Sequence, residues 1–464
     1  MKSGPTSLTE GPIARTLITF AIPILLGNVL QALNGSVNSV WVGRFLGEAA
    51  LTATAIANTI MFLLLGGVFG VSLAATILVA QYIGAQRLDA ARRVVGTSAT
   101  FFAVVATLIA VAGWLGASRL LAAMHTPPDA LPFAHAYLRI IFVAIPFLYL
   151  YTYVMAVLRG AGDSKTPFKF LVLSVGLDIA LNPLLIFGLG PVPRLGIAGS
   201  ALATLIANAI SLVALIVFLY RKRNPLCLRG RELAYLRLDG AIVATLLKKG
   251  LPMGLQLLVI SANAVALITL VNRFGTDTTA AYGATWQLCN YLQMPPFAIA
   301  AAVSSMAAQN VGAGRWDRVA RIARAGVTFH CVLTGALVLI LLALNTTALG
   351  LFLPPGRALA IAGHINLTSA WSFVFFGISM VLFGVVRSTG AVVPPLVALF
   401  IALWGIRIPF AVALIPRFGA DAIWWSFPLA SCVAALLALG YYRWGGWRRA
   451  RMMSAVPTPA ATDD

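Results

Sequence analysis

Runs of about twenty apolar residues, separated by short polar or basic stretches, recur from one end of this chain to the other. A helix of that length crosses the ~30 Å hydrocarbon core of a bilayer. No water reaches that core, so each run must satisfy its backbone N–H and C=O groups within itself, as a helix does. The sequence predicts 12 such helices, at 16–43, 50–82, 95–124, 133–158, 168–189 and 197–220, then 241–271, 280–308, 323–346, 364–386, 395–415 and 422–442. Pro23, Pro146, Pro252 and Pro295 fall where kinks are expected. Composition agrees: 60% of the 464 residues are hydrophobic and only 10% are charged, against roughly 25% charged in a soluble domain. A soluble enzyme, a disordered chain and a disulfide scaffold are excluded together. The first apolar run lacks the leader pattern of a secretory signal and is expected to be retained.

The 33 basic residues exceed the 13 acidic ones by 20, and their placement decides what the excess means. With the N-terminus inside, cytoplasmic segments hold 25 Lys and Arg, whereas the outer loops hold six: Arg44, Arg119, Arg194, Arg273, Arg357 and Arg417. Arg139 and Arg407 fall within helices. This asymmetry predicts a multi-pass protein of the cytoplasmic (inner) membrane with both termini cytoplasmic. No soluble basic module exists to serve a nucleic acid, so none is expected as a partner. The four cysteines, Cys227, Cys289, Cys331 and Cys432, form no CxxC pair and read as packing residues. No HExxH, P-loop or GxSxG occurs, and the four histidines are scattered, so no enzymatic constellation and no cofactor is expected.

The two halves repeat each other. Gln81 to Asp89 (QYIGAQRLD) matches Gln309 to Asp317 (QNVGAGRWD) at an offset of 228, and Arg159, Gly162 and Pro167 match Arg387, Gly390 and Pro395 at the same offset. Pro23 and Arg44 match Pro252 and Arg273 at 229. Six helices per repeat is an even number, so both halves run the same way through the bilayer, about an axis along its normal. The expected fold is an all-α polytopic membrane protein, 12 transmembrane helices in two pseudo-symmetric six-helix lobes. The expected division is an N-lobe at 14–220, a cytoplasmic linker at 221–239, a C-lobe at 240–445 and a cytoplasmic tail at 446–464.

At these residues the chain resembles the multidrug and toxic compound extrusion (MATE) transporters, in their DNA-damage-inducible F-like bacterial branch. Val42 to Gly47 (VGRFLG), Leu158 to Asp163 (LRGAGD), Asn182 to Gly188 (NPLLIFG), Gly199 to Thr204 (GSALAT) and Arg407-Ile408-Pro409 carry the likeness together with the QxxGA repeats, in order from about Gly11 to Arg443. The resemblance implies a monomeric secondary antiporter. It would export amphiphilic or cationic organic compounds in exchange for H+ or Na+ by alternating access, with membrane lipids around it. The alternative within this architecture is a flippase of a lipid-linked saccharide, which needs a basic cavity for pyrophosphate.

Of the 13 acids, only Asp178 lies at membrane depth. An ionised carboxylate there costs about 2.5–3.5 kcal/mol on insertion scales, so a carboxyl kept at that position is expected to exchange a proton or hold a cation. Asn182 follows by four residues on the same helix face, Pro183 frees a backbone carbonyl beside both, and Thr204 adds a hydroxyl at matching depth. Helix 1 offers Asn28, Gln31, Asn34 and Asn38. Such oxygens suit Na+, the one metal ion expected here. The resemblance places its N-lobe ion site at Asn38 and Asn182. There the family commonly has Asp for Asn38, and Asn before Asp where this chain has Asp178 before Asn182. Asp178, Asn182, Asn38 and Thr204 are therefore the expected coupling residues. Asn34, Gln31, Gln256, Gln287 and Asn290 are weaker candidates for the substrate cavity. Trp41, Tyr151 and Tyr153 are read either as surfaces for flat cations or as an interfacial belt, and His330 as a residue at a cytoplasmic helix start.

Overall fold

A computed structural model describes residues 8–188 and 193–453. The end of the expected tail, with Asp463 and Asp464, lies outside the described residues, as does Lys2. The first six helices are α1 (Ile13–Leu46), α2 (Glu48–Gly84), α3 (Leu88–Ala123), α4 (Leu131–Gly160), α5 (Lys165–Phe187) and α6 (Ile197–Arg221). A 3-10 segment at Gly230–Leu236 leads to α7 (Gly240–Val271), α8 (Thr276–Gly312) and α9 (Trp316–Ala343), followed by the short α10 (Asn345–Gly350). The tenth span is broken into α11 (Arg357–Ser369) and α12 (Ser372–Arg387), bent by 46°. The eleventh joins α13 (Val393–Phe400) to α14 (Ile408–Phe418) through a π-helical stretch at Ile401–Arg407, and α15 (Asp421–Trp444) is the twelfth.

Among the described residues, ten helices are by length and composition able to cross a membrane, and the bent pair α11–α12 makes an eleventh. Helix α8 has the length, 37 residues, but carries a polar first half and Pro295-Pro296. Packed against α9, α11 and α12, it is the remaining long helix of the twelve expected. Outward faces are apolar as lipid requires: Leu108 and Leu115 on α3, Val332 and Leu339 on α9 and Leu436 on α15 are among the most exposed large side chains.

The repeat reaches the backbone. Gly47 before α2 and Gly275 before α8 share φ of 86° and 90°, and Gly196 before α6 and Gly419 before α15 share φ of 56° and 59°. These are left-handed conformations open to glycine, used at the same turns of both halves.

Residue contacts divide the chain into two compact units. One is built on Leu26–Gly250; the other runs from Leu251 onward and includes the chain's start up to Leu25. Helix α1 thus passes between units two residues after Pro23, and α7 just before Pro252. In the first unit, helices meet at glycines, as membrane packing favours. A Cβ on Gly160 of α4 would stand 2.5 Å from the Thr76 carbonyl of α2, and one on Gly199 of α6 would strike the Leu185 carbonyl of α5. The segment before α7 is tied to α3 by Arg92–Glu232 (2.6 Å), Arg93–Asp239 (2.7 Å) and a Thr100 hydroxyl donating to the Leu236 carbonyl (2.7 Å).

In the second unit, the loop after α8 grips the chain's start. Leu8 N–H donates to Gln309 Oε1 (3.1 Å), Asn310 Nδ2 to the Leu8 carbonyl (3.1 Å) and Arg315 to the Thr9 carbonyl (2.7 Å). Leu8, Leu17 and Phe20 then enter a core with Val303, Met306, Val319, Val381 and Trp447. The repeated Gln309–Asp317 motif is therefore a clamp for the segment that leads into a helix.

Three expectations are corrected. His330 sits in the middle of α9, fully buried, its ring bonded to the Val374 carbonyl (2.9 Å) and the Thr334 hydroxyl (3.1 Å), and not at a helix start. Tyr151 and Tyr153 are core residues of α4 rather than a belt or a cation surface. Tyr153 shares its hydroxyl with Ser98 and the Val95 carbonyl.

Candidate functional site

Helices α1, α5 and α6 of the first unit converge on Asp178, whose side chain is 4% exposed. Position 178 lies in the middle of α5, and its burial leaves little surface for water to solvate it. Protein donors take that role. Asn34 Nδ2 of α1 donates to Oδ2 at 2.9 Å, and Thr204 Oγ1 of α6 donates to Oδ1 at 3.0 Å. Among the described residues no ion pair involves Asp178. The carboxyl is held by two neutral donors, one per oxygen.

A second layer fixes those donors. The Asn182 amide turns back on its own helix, Nδ2 donating to the Asp178 carbonyl at 2.8 Å, which leaves the buried Asn182 Oδ1 without a donor. Thr204 Oγ1 also lies 3.4 Å from the Ser200 carbonyl, and Asn208 Nδ2 donates to the Thr204 carbonyl at 2.8 Å. One turn along α1, Asn38 accepts from Ser200 Oγ at 2.9 Å. Asn34 and Asn38, four residues apart, present one face of α1 to α5 and α6. The buried Tyr137 of α4 lies within electrostatic range of Asp178.

Asp178, Asn182, Thr204, Asn34 and Asn38 are thus brought together, with Asn34 and not Asn38 on the carboxylate. Ser200 was missed by the sequence reading, although its place four residues before Thr204 was a usable signal. Gln31 of α1 is exposed. The others belong to the second unit: Gln287 and Asn290 bond to each other at 3.4 Å on α8, and Gln256 of α7 is buried with its Oε1 accepting from Arg387 at 2.8 Å. Trp41 stacks on Phe45, with ring centroids 5.4 Å apart.

The arrangement holds one buried carboxyl among side-chain oxygens on three helices, with neither a nucleophile–base pair nor, among the described residues, a cluster of metal-binding side chains. The profile of the MatE family matches residues 23–184 and again 252–413, and the chain belongs to this family of multidrug and toxic compound extrusion transporters; it is not an enzyme. Over 444 residues it is 34% identical to a Bacillus subtilis (strain 168) protein named probable multidrug resistance protein YoeA, covering 95% of this chain and 96% of that one. A second protein of that organism, probable multidrug resistance protein YpnP, is 32% identical over 451 residues, covering 96% and 98%. Among solved structures, a MATE transporter in complex with MaL6 superposes with a TM-score of 0.87 at 21% identity, over 96% of this chain and 98% of that one. The outward-facing conformation of a multidrug resistance MATE family transporter does so at 0.86 and 19%, with the same coverage.

Proposed function

We propose that this protein is a secondary antiporter of the cytoplasmic membrane. It exports amphiphilic, often cationic organic compounds as a monomer, in exchange for H+ or Na+ taken up at Asp178. The relatives named as multidrug resistance proteins support the substrate class. The observation that carries the coupling role is a buried carboxyl with one neutral donor on each oxygen and, among the described residues, no ion-pair partner. A group so placed changes its charge or its company when a cation arrives.

The hydrogen bonds supply a mechanism. Asn34 Nδ2 can only donate, but a threonine hydroxyl donates or accepts. When a proton lands on Oδ1, the Thr204 hydroxyl turns to accept it and redirects its own hydrogen to the Ser200 carbonyl, 3.4 Å away. For Na+, the Asp178 oxygens, Thr204 Oγ1 and the donorless Asn182 Oδ1 offer oxygen ligands. In both cases α1, bonded through Asn34 and Asn38, registers the change. That differential contact between loaded and empty states is what alternating access of the two six-helix lobes requires.

The test is ethidium efflux by protein reconstituted in liposomes under separately imposed Na+ and proton gradients. One gradient drives efflux in the wild type. Asp178→Asn, eluting as a single species with unchanged helical content, transports at least ~10-fold more slowly, the size of effect a lost proton-transfer group produces. Wild-type transport by that variant overturns the coupling role.

A further inference from the structure

Arg407 sits at membrane depth in the eleventh span, at the end of the π-helical stretch Ile401–Arg407, and is 9% exposed. The wider π turn displaces the register of that span, and α7 is stitched to it one turn before the arginine. Asn263 Nδ2 donates to the Leu403 carbonyl at 3.0 Å, and Trp404 Nε1 donates to the Val259 carbonyl at 3.2 Å. π-helical turns concentrate at functional sites because they re-aim a side chain at a cost in helix stability.

The guanidinium is half satisfied. Nη1 donates to Asn263 Oδ1 at 3.1 Å, and the Phe427 ring covers one face with its centroid 3.4 Å from Cζ. Nε and Nη2, both buried, have no partner, and among the described residues no acid pairs with Arg407. An aromatic face offsets only about 2 kcal/mol of the cost of burying such a charge. The two free groups are adjacent: Nε–H and one Nη2–H form the parallel fork that takes a carboxylate with two hydrogen bonds. Arg407 also lines a cavity of about 70 Å³ together with Asn263, Trp286, Gln293, Ser372 and Ser431. One water needs ~10–15 Å³ on this measure, so the space admits a carboxylate group with its flanking carbon.

We propose that Arg407 and this cavity form a carboxylate-binding site in the second unit, distinct from the carboxyl at Asp178 and taking the acidic group of an anionic or zwitterionic amphiphile. The site requires no coupling ion, so it stands or falls separately from the antiport mechanism.

The experiment is binding to purified full-length protein with no ion gradient, read by intrinsic tryptophan fluorescence, at constant ionic strength balanced with gluconate. The probes are benzoate, its neutral isostere benzamide, and chloride. Wild type binds benzoate at least ~10-fold more tightly than benzamide or chloride, the margin expected of a bidentate charge-assisted pair. Arg407→Gln brings benzoate and benzamide within twofold of each other, and Arg407→Lys, which keeps the charge but loses the fork, gives an intermediate ratio. Equal binding of benzoate and benzamide by wild type overturns the site. So does a benzoate preference that survives Arg407→Gln, and chloride binding as tight as benzoate removes the two-oxygen recognition. Retention of folding by the lysine variant keeps the comparison readable if the glutamine variant unfolds.

Discussion

At Asp178 the two carboxylate oxygens are not equivalent. Oδ2 faces a donor that cannot reverse, Asn34 Nδ2, and Oδ1 faces a hydroxyl that can, Thr204. The position of the acid therefore matters as much as its presence. The double variant Asp178→Asn/Asn182→Asp keeps both residue types on one face of α5 but moves the carboxyl a turn away from its donors. It is expected to exchange no faster than Asp178→Asn alone, at least ~10-fold below wild type in the liposome assay, a loss in keeping with removal of a positioned acid–base group. Recovery to within twofold of wild type would show that any acid on that face suffices. The sequence made Asp178 legible because acids are so few: once peripheral ones are placed by charge asymmetry, one remains. It did not reveal that Asn34 rather than Asn38 meets the carboxylate. That choice depends on the rotation of α1 about its axis, which neighbouring helices set and hydropathy does not encode. Ser200 stands four residues before Thr204 and so shares its face, but that it meets Asn38 depends on the same rotation.

Helix breaks are where elements departed from simple spans. The apolar runs showed twelve helices, yet neither the 46° bend between α11 and α12 nor the π turn at Ile401–Arg407 has a hydropathy signature. No proline stands at the bend, but Pro409, two residues after the π turn, cannot donate to the Gly405 carbonyl within it. His330 illustrates the consequence. Its ring reaches from α9 to the Val374 carbonyl of α12 and occupies the space over Gly377, where an added Cβ would strike the imidazole. Gly377→Ala must displace that ring or the helix, an overpacking that typically costs about 1–3 kcal/mol, and the purified protein is expected to melt several degrees lower. His330→Ala alone also destabilises, since it empties a buried site and removes the bonds to the Val374 carbonyl and the Thr334 hydroxyl. The two changes share one space, so the double variant should lie above the additive expectation by at least ~0.5 kcal/mol. Additive losses across the four proteins would mean that ring and glycine do not contend for it.

Over the whole molecule, the repeat shapes each half, and the boundary of the compact units falls inside α1 and α7, beside the matched Pro23 and Pro252. Pro23 and Pro252 were legible as kinks. That α1 and α7 each change unit beside them was not, because membership of a unit is a tertiary property. The segment entering α7 belongs with α3, and its basic cluster marks the cytoplasmic face in the orientation proposed from the charge asymmetry. Cys227 lies in that segment, half-buried and outside the spans. Burial pushes its thiol above the ordinary value, with Arg229 and Arg92 pulling the other way. The thiolate is the reactive form, so a raised value leaves less of it at neutral pH than a free cysteine has, and labelling accelerates as pH rises toward that value. In a variant with Cys289, Cys331 and Cys432 changed to alanine, a membrane-impermeant maleimide should label Cys227 in inside-out vesicles and leave it untouched in intact cells. The vesicle rate should climb about tenfold for each pH unit above 7, tracking the thiolate fraction. Labelling from the outside of intact cells would reverse the orientation that the 25-to-6 distribution of basic residues predicts. A rate that is fast and flat with pH would instead show that the arginines outweigh burial around that thiol.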